Sequence, residues 1–152
     1  MKLLQVAAFA AIVVSGSALA GSVPQWGGGG GGGGGGGSSS GPESTLSIYQ
    51  FGTNNAALAL QSDARKSDTT ITQHGYGNGA DVGQGSDNST IDLTQKGFKN
   101  NATIDQWNGK NSDITVSQYG GRNAALVNQT ASDSSVLVKQ VGFGNNATAN
   151  QY

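Results

Sequence analysis

Five stretches of this chain obey one pattern, S-x5-Q-x-G-x2-N-x-A-x3-Q. They are "STLSIYQFGTNNAALALQ" (44–61), "SDTTITQHGYGNGADVGQ" (67–84), "STIDLTQKGFKNNATIDQ" (89–106), "SDITVSQYGGRNAALVNQ" (112–129) and "SSVLVKQVGFGNNATANQ" (134–151). Their starts lie 23, 22, 23 and 22 residues apart. A fixed period of this length marks units that stack on one another, because no single unit can bury its own apolar face.

Each unit splits into two runs of alternating character. Ser89, Ile91, Leu93 and Gln95 alternate with Thr90, Asp92 and Thr94, and Asn100, Ala102, Ile104 and Gln106 continue the alternation. Period two predicts a β-strand with one buried face. Between the runs lie four residues that include the fixed Gly, as in "KGFK", and Gly supplies the backbone conformations a tight turn needs. Four or five residues, such as "GSDN" or "WNGKN", join one unit to the next. Strand, arc, strand, arc describes one turn of an all-β, two-sheet β-solenoid.

Stacked units bring the fixed residues into columns. One holds Ser44, Ser67, Ser89, Ser112 and Ser134. A second holds Gln50, Gln73, Gln95, Gln118 and Gln140, a third Asn55, Asn78, Asn100, Asn123 and Asn145, and a fourth Gln61, Gln84, Gln106, Gln129 and Gln151. At the ~4.8 Å spacing of paired strands, stacked amides hydrogen-bond into ladders. Apolar columns run between them, including Ile48, Ile71, Leu93, Val116 and Val138 facing Ala57, Ala80, Ala102, Ala125 and Ala147. The ladders are expected inside, bounding a thin core.

Composition agrees that a conventional globule is not the solution. Large aliphatics are sparse, there is no Cys, and charged residues make up 11% of the chain. The net charge of −1 leaves no basic patch to neutralise phosphates, which argues against nucleic acid as a main partner. At the N-terminus, "MKLLQVAAFAAIVVSGSALA" has a basic start, an apolar middle and an A-x-A end, the form of a signal peptide cleaved after Ala20. Its apolar segment is shorter than the ~20 residues that span a bilayer. Residues 21–42 carry an unbroken Gly run, Gly27 to Gly37, and are expected to be a disordered leader, whether a plain linker or a segment recognised by a secretion pore. The repeat region, 43–152, ends one residue beyond the last Gln. No capping segment is evident at either end, so bare strand edges are expected, and with them end-to-end addition into a fibre.

The first unit has no charged residue and the fifth only Lys139, whereas the middle units carry Asp68, Asp81, Asp92, Asp105 and Asp113. Such charges either restrain aggregation as gatekeepers or form an ordinary solvated face. Under the gatekeeper reading, the terminal units drive assembly and the middle ones hold it back.

Other functions find little purchase. Catalysis needs clustered carboxylates or a nucleophile beside a base, yet the one His, His74, sits at a variable position and the Asp residues are scattered. Calcium-binding repeats of the G-G-x-G-x-D type are absent, and no metal or cofactor is expected. The alternative is a soluble secreted solenoid that binds ice, polysaccharide or host matrix through outward Thr70, Thr72, Thr90, Thr94 and Thr115, which do not form unbroken columns. Arg65, Lys66, Lys96, Lys99 and Arg122 would either contact such ligands or simply be solvated.

The five-fold pattern, with the leader and stretches such as "ITQHGYGNGADVGQGSDNS", "DQWNGKNSDITV" and "QVGFGNNATANQY", resembles the major-subunit family of curli from enteric bacteria. The resemblance covers the whole chain. It implies an extracellular functional amyloid, a fimbrium that builds biofilm matrix and supports cell aggregation and surface adhesion. It implies Sec-type export to the periplasm, passage of the unfolded chain through the outer-membrane channel CsgG, nucleation by the minor subunit CsgB, and restraint by accessory and chaperone proteins. Host matrix proteins or polysaccharide are further implied partners. The family's secretion segment falls on Gly21 to Pro42. Its assembly-driving amides fall on Gln50, Asn55, Gln61, Gln140, Asn145 and Gln151, with Ser44 and Ser134 heading the same two repeats.

Overall fold

The computed structural model describes residues 12–16, 44–62 and 64–152. Eleven strands follow in order: β1 (Ile12–Gly16), β2 (Thr45–Thr53), β3 (Ala56–Ser62), β4 (Asp68–Tyr76), β5 (Gly79–Asp87), β6 (Thr90–Phe98), β7 (Asn101–Lys110), β8 (Asp113–Gly121), β9 (Ala124–Gln129), β10 (Ser135–Phe143) and β11 (Asn146–Gln151). The even strands form one parallel sheet, β2-β4-β6-β8-β10, and the odd strands a second, β1-β3-β5-β7-β9-β11. Each repeat contributes one strand to each sheet, so the chain is a five-turn, two-sheet β-solenoid.

Register follows the repeat. Gln50, Gln73, Gln95, Gln118 and Gln140 lie opposite one another in succession, as do Gln61, Gln84, Gln106, Gln129 and Gln151. Alternating residues of both sheets point into a slot where Ile71, Ile91, Leu93, Ile104 and Ile114 are fully buried. Burying such a side chain contributes ~1.5–3 kcal/mol. Leu46 and Ile48 at one end, and Ala147 and Ala149 at the other, pack on this core but are only partly buried.

The arcs differ from the sequence expectation. The fixed glycines, Gly52, Gly75, Gly97, Gly120 and Gly142, lie within the extended span of the even strands, with φ between 111° and 124°. The chain reverses two residues later, at Asn54, Gly77, Lys99, Arg122 and Gly144, which hold left-handed φ of 53° to 69°. Glycine is required upstream for a different reason. A Cβ on Gly75 would meet the carbonyl oxygen of Gly97 at 1.9 Å. The second arc also ends on a left-handed residue, Lys66, Asn88, Asn111 or Asp133, each just before the fixed Ser. Where the arc of the third unit carries an extra residue, the register between β5 and β7 shifts between Gly85 and Asp87, and Asn108 adopts φ 60°.

The proposed signal peptide and Gly-rich leader lie outside the described residues except for Ile12–Gly16. That segment, β1, pairs in parallel with β3 from Ile12↔Leu58 to Gly16↔Ser62. In the uncleaved chain this strand therefore covers the edge of β3, which is expected to be bare once residues 1–20 are removed. The edge of β2 in the other sheet carries no strand among the described residues.

Candidate functional site

Three amide ladders, two of Gln and one of Asn, run the length of the solenoid. Internal Gln73, Gln84, Gln95, Gln106, Gln118 and Gln129 are fully buried, and Asn78, Asn100 and Asn123 nearly so. A buried polar group without a partner costs ~1–3 kcal/mol. Here no buried side-chain nitrogen or oxygen lacks one among the described residues.

In the first Gln ladder, Nε2 of Gln50 donates to Oε1 of Gln73 at 2.7 Å, and Gln73, Gln95 and Gln118 each donate to the next Gln at 2.8 Å. The spare N–H of Gln73, Gln95, Gln118 and Gln140 crosses the slot to a backbone carbonyl of the opposite sheet, those of Ala56, Gly79, Asn101 and Ala124. Each carboxamide therefore ties unit to unit and sheet to sheet. The second Gln ladder runs the same way, from Gln61 through Gln84, Gln106 and Gln129 to Gln151 at 2.8–3.1 Å. Gln61, Gln84 and Gln106 also donate to the carbonyls of Ser67, Ser89 and Ser112.

The Asn ladder runs in the opposite direction. Oδ1 of Asn55 accepts both the backbone N–H and the Nδ2 of Asn78, and the pattern repeats through Asn100 and Asn123 to Asn145. Asn55, Asn78, Asn100 and Asn123 also donate to the carbonyls of Gly75, Gly97, Gly120 and Gly142 in the following unit. The Gly-x2-Asn spacing of the repeat thus holds together two partners, a carbonyl brought close by a side-chain-free residue and the amide that caps it. Sequence reasoning missed this tether, although the fixed spacing was its signal. The Ser column is not a side-chain ladder. The Oγ of Ser44, Ser67 and Ser89 accepts the backbone N–H of the next Ser at 3.2–3.3 Å, while Ser134 donates to the carbonyl of Ser132.

The carboxylates stand outside the slot. Asp68, Asp81, Asp92 and Asp113 are exposed and Asp105 half-buried. None of these five has a charged neighbour in register, unlike Asp87, which lies opposite Lys110: Asp68 lies between Thr45 and Thr90, Asp81 between Leu58 and Thr103, and Asp92 between Thr70 and Thr115. Asp105 lies between Gly83 and Asn128, and Asp113 between Thr90 and Ser135. The hydroxyl of Thr45 donates to Asp68. His74 is exposed on β4, its ring 6.1 Å from that of Phe51. No three His, Asp or Glu side chains converge on a metal-sized site among the described residues.

The ends of the stack are where apolar surface concentrates. Leu137, Val141 and Phe143 on β10 are 73%, 67% and 71% exposed, and Tyr49 and Phe51 on β2 are more than half exposed.

Comparison with known proteins agrees with this geometry. The family model "Curlin associated repeat" matches residues 41–75, 86–120 and 109–142. The major curlin subunit of Salmonella typhimurium is 88% identical over 84 residues, and that of Escherichia coli K12 is 74% identical over 84 residues. In each case the aligned stretch is 55% of this chain and 55% of the relative, so the match spans about half the length of the curated proteins. With the curlin repeat recognised over more than half of its residues and folded here as one turn of a laddered solenoid per unit, the chain belongs to the curlin repeat family.

Proposed function

We propose that this chain is the major structural subunit of an extracellular curli-type fibre and that its activity is head-to-tail addition of solenoids. The observation that carries this reading is the polarity of the ladders. At the β10–β11 end, the Nε2 donors of Gln140 and Gln151 meet no further Gln among the described residues, and the Oδ1 acceptor of Asn145 no further Asn. At the other end Gln50 and Gln61 offer Oε1 acceptors, and Asn55 offers the backbone N–H that its counterparts donate. Head-to-tail stacking meets donor with acceptor in all three columns. Head-to-head stacking sets the Gln acceptors against one another.

The same placement buries Leu46, Ile48, Ala147 and Ala149 and continues both sheets. It sets Lys139 of one copy beside Tyr49 of the next, as Lys96 lies over the Tyr119 ring at 5.8 Å within a copy. Cleavage after Ala20 removes β1 and opens the edge of β3. Residues 21–42 then serve export through CsgG, CsgB supplies the first template, and accessory proteins restrain assembly before the chain reaches the cell surface. Gln50, Asn55, Gln61, Gln140, Asn145 and Gln151 drive assembly because they form the joint. Asp68, Asp81, Asp92, Asp105 and Asp113 slow it. The fibre itself is the product, supporting biofilm matrix, cell aggregation and adhesion to surfaces, polysaccharide or host matrix.

The test uses residues 21–152 released from denaturant at low micromolar concentration. The expected course is conversion from disordered to β circular dichroism with sedimentable fibres diffracting near ~4.7 and ~10 Å. A persistently soluble, immediately β-rich monomer overturns the proposal.

A further inference from the structure

On the outer face of the odd-stranded sheet, Leu58, Leu60, Asp81, Asp105 and Trp107 surround an open groove of about 340 Å3. That volume lies at the lower end of the ~300–1,000 Å3 typical of small-molecule sites. The groove is built by omission. A Cβ on Gly85 would fall 2.1 Å from Trp107 Cε3, and one on Gly83 would fall 2.9 Å from Trp107 Cζ2 and 3.0 Å from Asp105 Oδ1. The two glycines of β5 let the indole lie over the sheet beside both carboxylates.

We infer that this groove is a binding site for a planar organic cation. Its lining holds two carboxylates and no Lys, Arg or His, while Leu58, Leu60 and the indole supply apolar surface. A Trp face is the best of the aromatic partners for a cation, and opposite charge close by in a partly dry groove strengthens the attraction. A neutral ring would gain only the apolar part, and an anion would be repelled. The juxtaposition occurs once per chain, because other repeats replace Gly83 and Trp107. It faces sideways, so fibre growth leaves it open.

The experiment uses preassembled fibres of residues 21–152 carrying Trp26→Phe, which leaves Trp107 as the single indole. The probe is the benzothiazolium cation thioflavin T, with binding read by quenching of Trp107 emission and by depletion of free dye. Fibre formation is read separately by sedimentation and diffraction, so failure to assemble is distinguished from failure to bind. The double variant Asp81→Asn/Asp105→Asn should weaken binding about tenfold. Asp92→Asn/Asp113→Asn, the same charge change on the other sheet, should leave it within twofold. Trp107→Leu should weaken dye depletion several-fold, and each single Asp variant should give an intermediate loss. Equal affinity in the two double variants overturns the inference. So does unchanged dye binding accompanied by altered fibre bundling, which would assign the groove to a neighbouring fibre.

Discussion

A Cβ built on Gly97 would stand 1.8 Å from the carbonyl oxygen of Gly120. No side-chain rotation relieves a contact between two backbones, and φ at Gly97 is 123°, which L side chains rarely adopt. Gly97→Ala should therefore destabilise the solenoid by more than about 4 kcal/mol, in the range reserved for backbone displacement. A fibre melting curve in guanidinium checks this, and an unchanged midpoint would refute it.

Gly142 is the counterpart with nothing stacked on it, its nearest obstacle being Asn145 Nδ2 at 3.5 Å. Gly142→Ala should fold at a strain of only ~1–3 kcal/mol, but the Gly52 carbonyl of an added copy would strike the new methyl. Added at a few per cent to wild-type chain, it should bind by its sound face and then stop growth there. Single-fibre imaging should show one end halted while the other continues. Uniform elongation at both ends would count against head-to-tail stacking.

Gln95 is fully buried between Gln73 and Gln118. Gln95→Glu places an acid where burial disfavours the charged form, so its folded-state pKa rises above the unfolded value of ~4.3. The folded chain then binds more protons than the unfolded one, and stability falls as pH climbs above ~4.3. Assembly should survive at pH 4 and fail near pH 7. Thioflavin-independent sedimentation across that range, against wild type, gives the profile.

Removing like charge from the flanks should quicken nucleation. Asp92→Asn/Asp113→Asn leaves the buried ladders untouched, since both carboxylates are exposed. The lag should shorten several-fold with little change in final fibre stability. A lag equal to wild type would make these residues a solvated face.

Retaining residues 1–20 should slow growth, because β1 occupies the edge of β3 that the proposed head-to-tail addition would use. Val13→Pro/Val14→Pro removes a donor from that pairing, since one of two adjacent N–H groups must face β3. It should restore most of the rate in the uncleaved chain and do nothing once the leader is cut, as seeded elongation rates will report.

The ladders and the core slot were legible because period two and a repeat of 22 or 23 residues leave one register that keeps Gln over Gln. The left-handed corners were not. Asn54, Gly77, Lys99, Arg122 and Gly144 share a conformation but no side-chain type, so the eye falls on the fixed Gly two residues earlier. That glycine answers to a carbonyl in the next unit, a contact that exists only after stacking. The staggering of Asp68, Asp81, Asp92, Asp105 and Asp113 likewise emerges only once the register is known. β1 was hidden for another reason: an apolar run that suits a signal peptide suits a sheet edge equally well.

The irregular arc at Asn108 has a practical meaning. One surplus residue is swallowed there by a local slip between β5 and β7, and Asn111 still arrives in its left-handed corner ahead of Ser112. Chain length in this corner is thus uncoupled from alignment within the slot. A foreign loop grafted at Asn108 would ride outside the stack and recur at every subunit, turning the fibre into a ruled scaffold with evenly spaced attachment points.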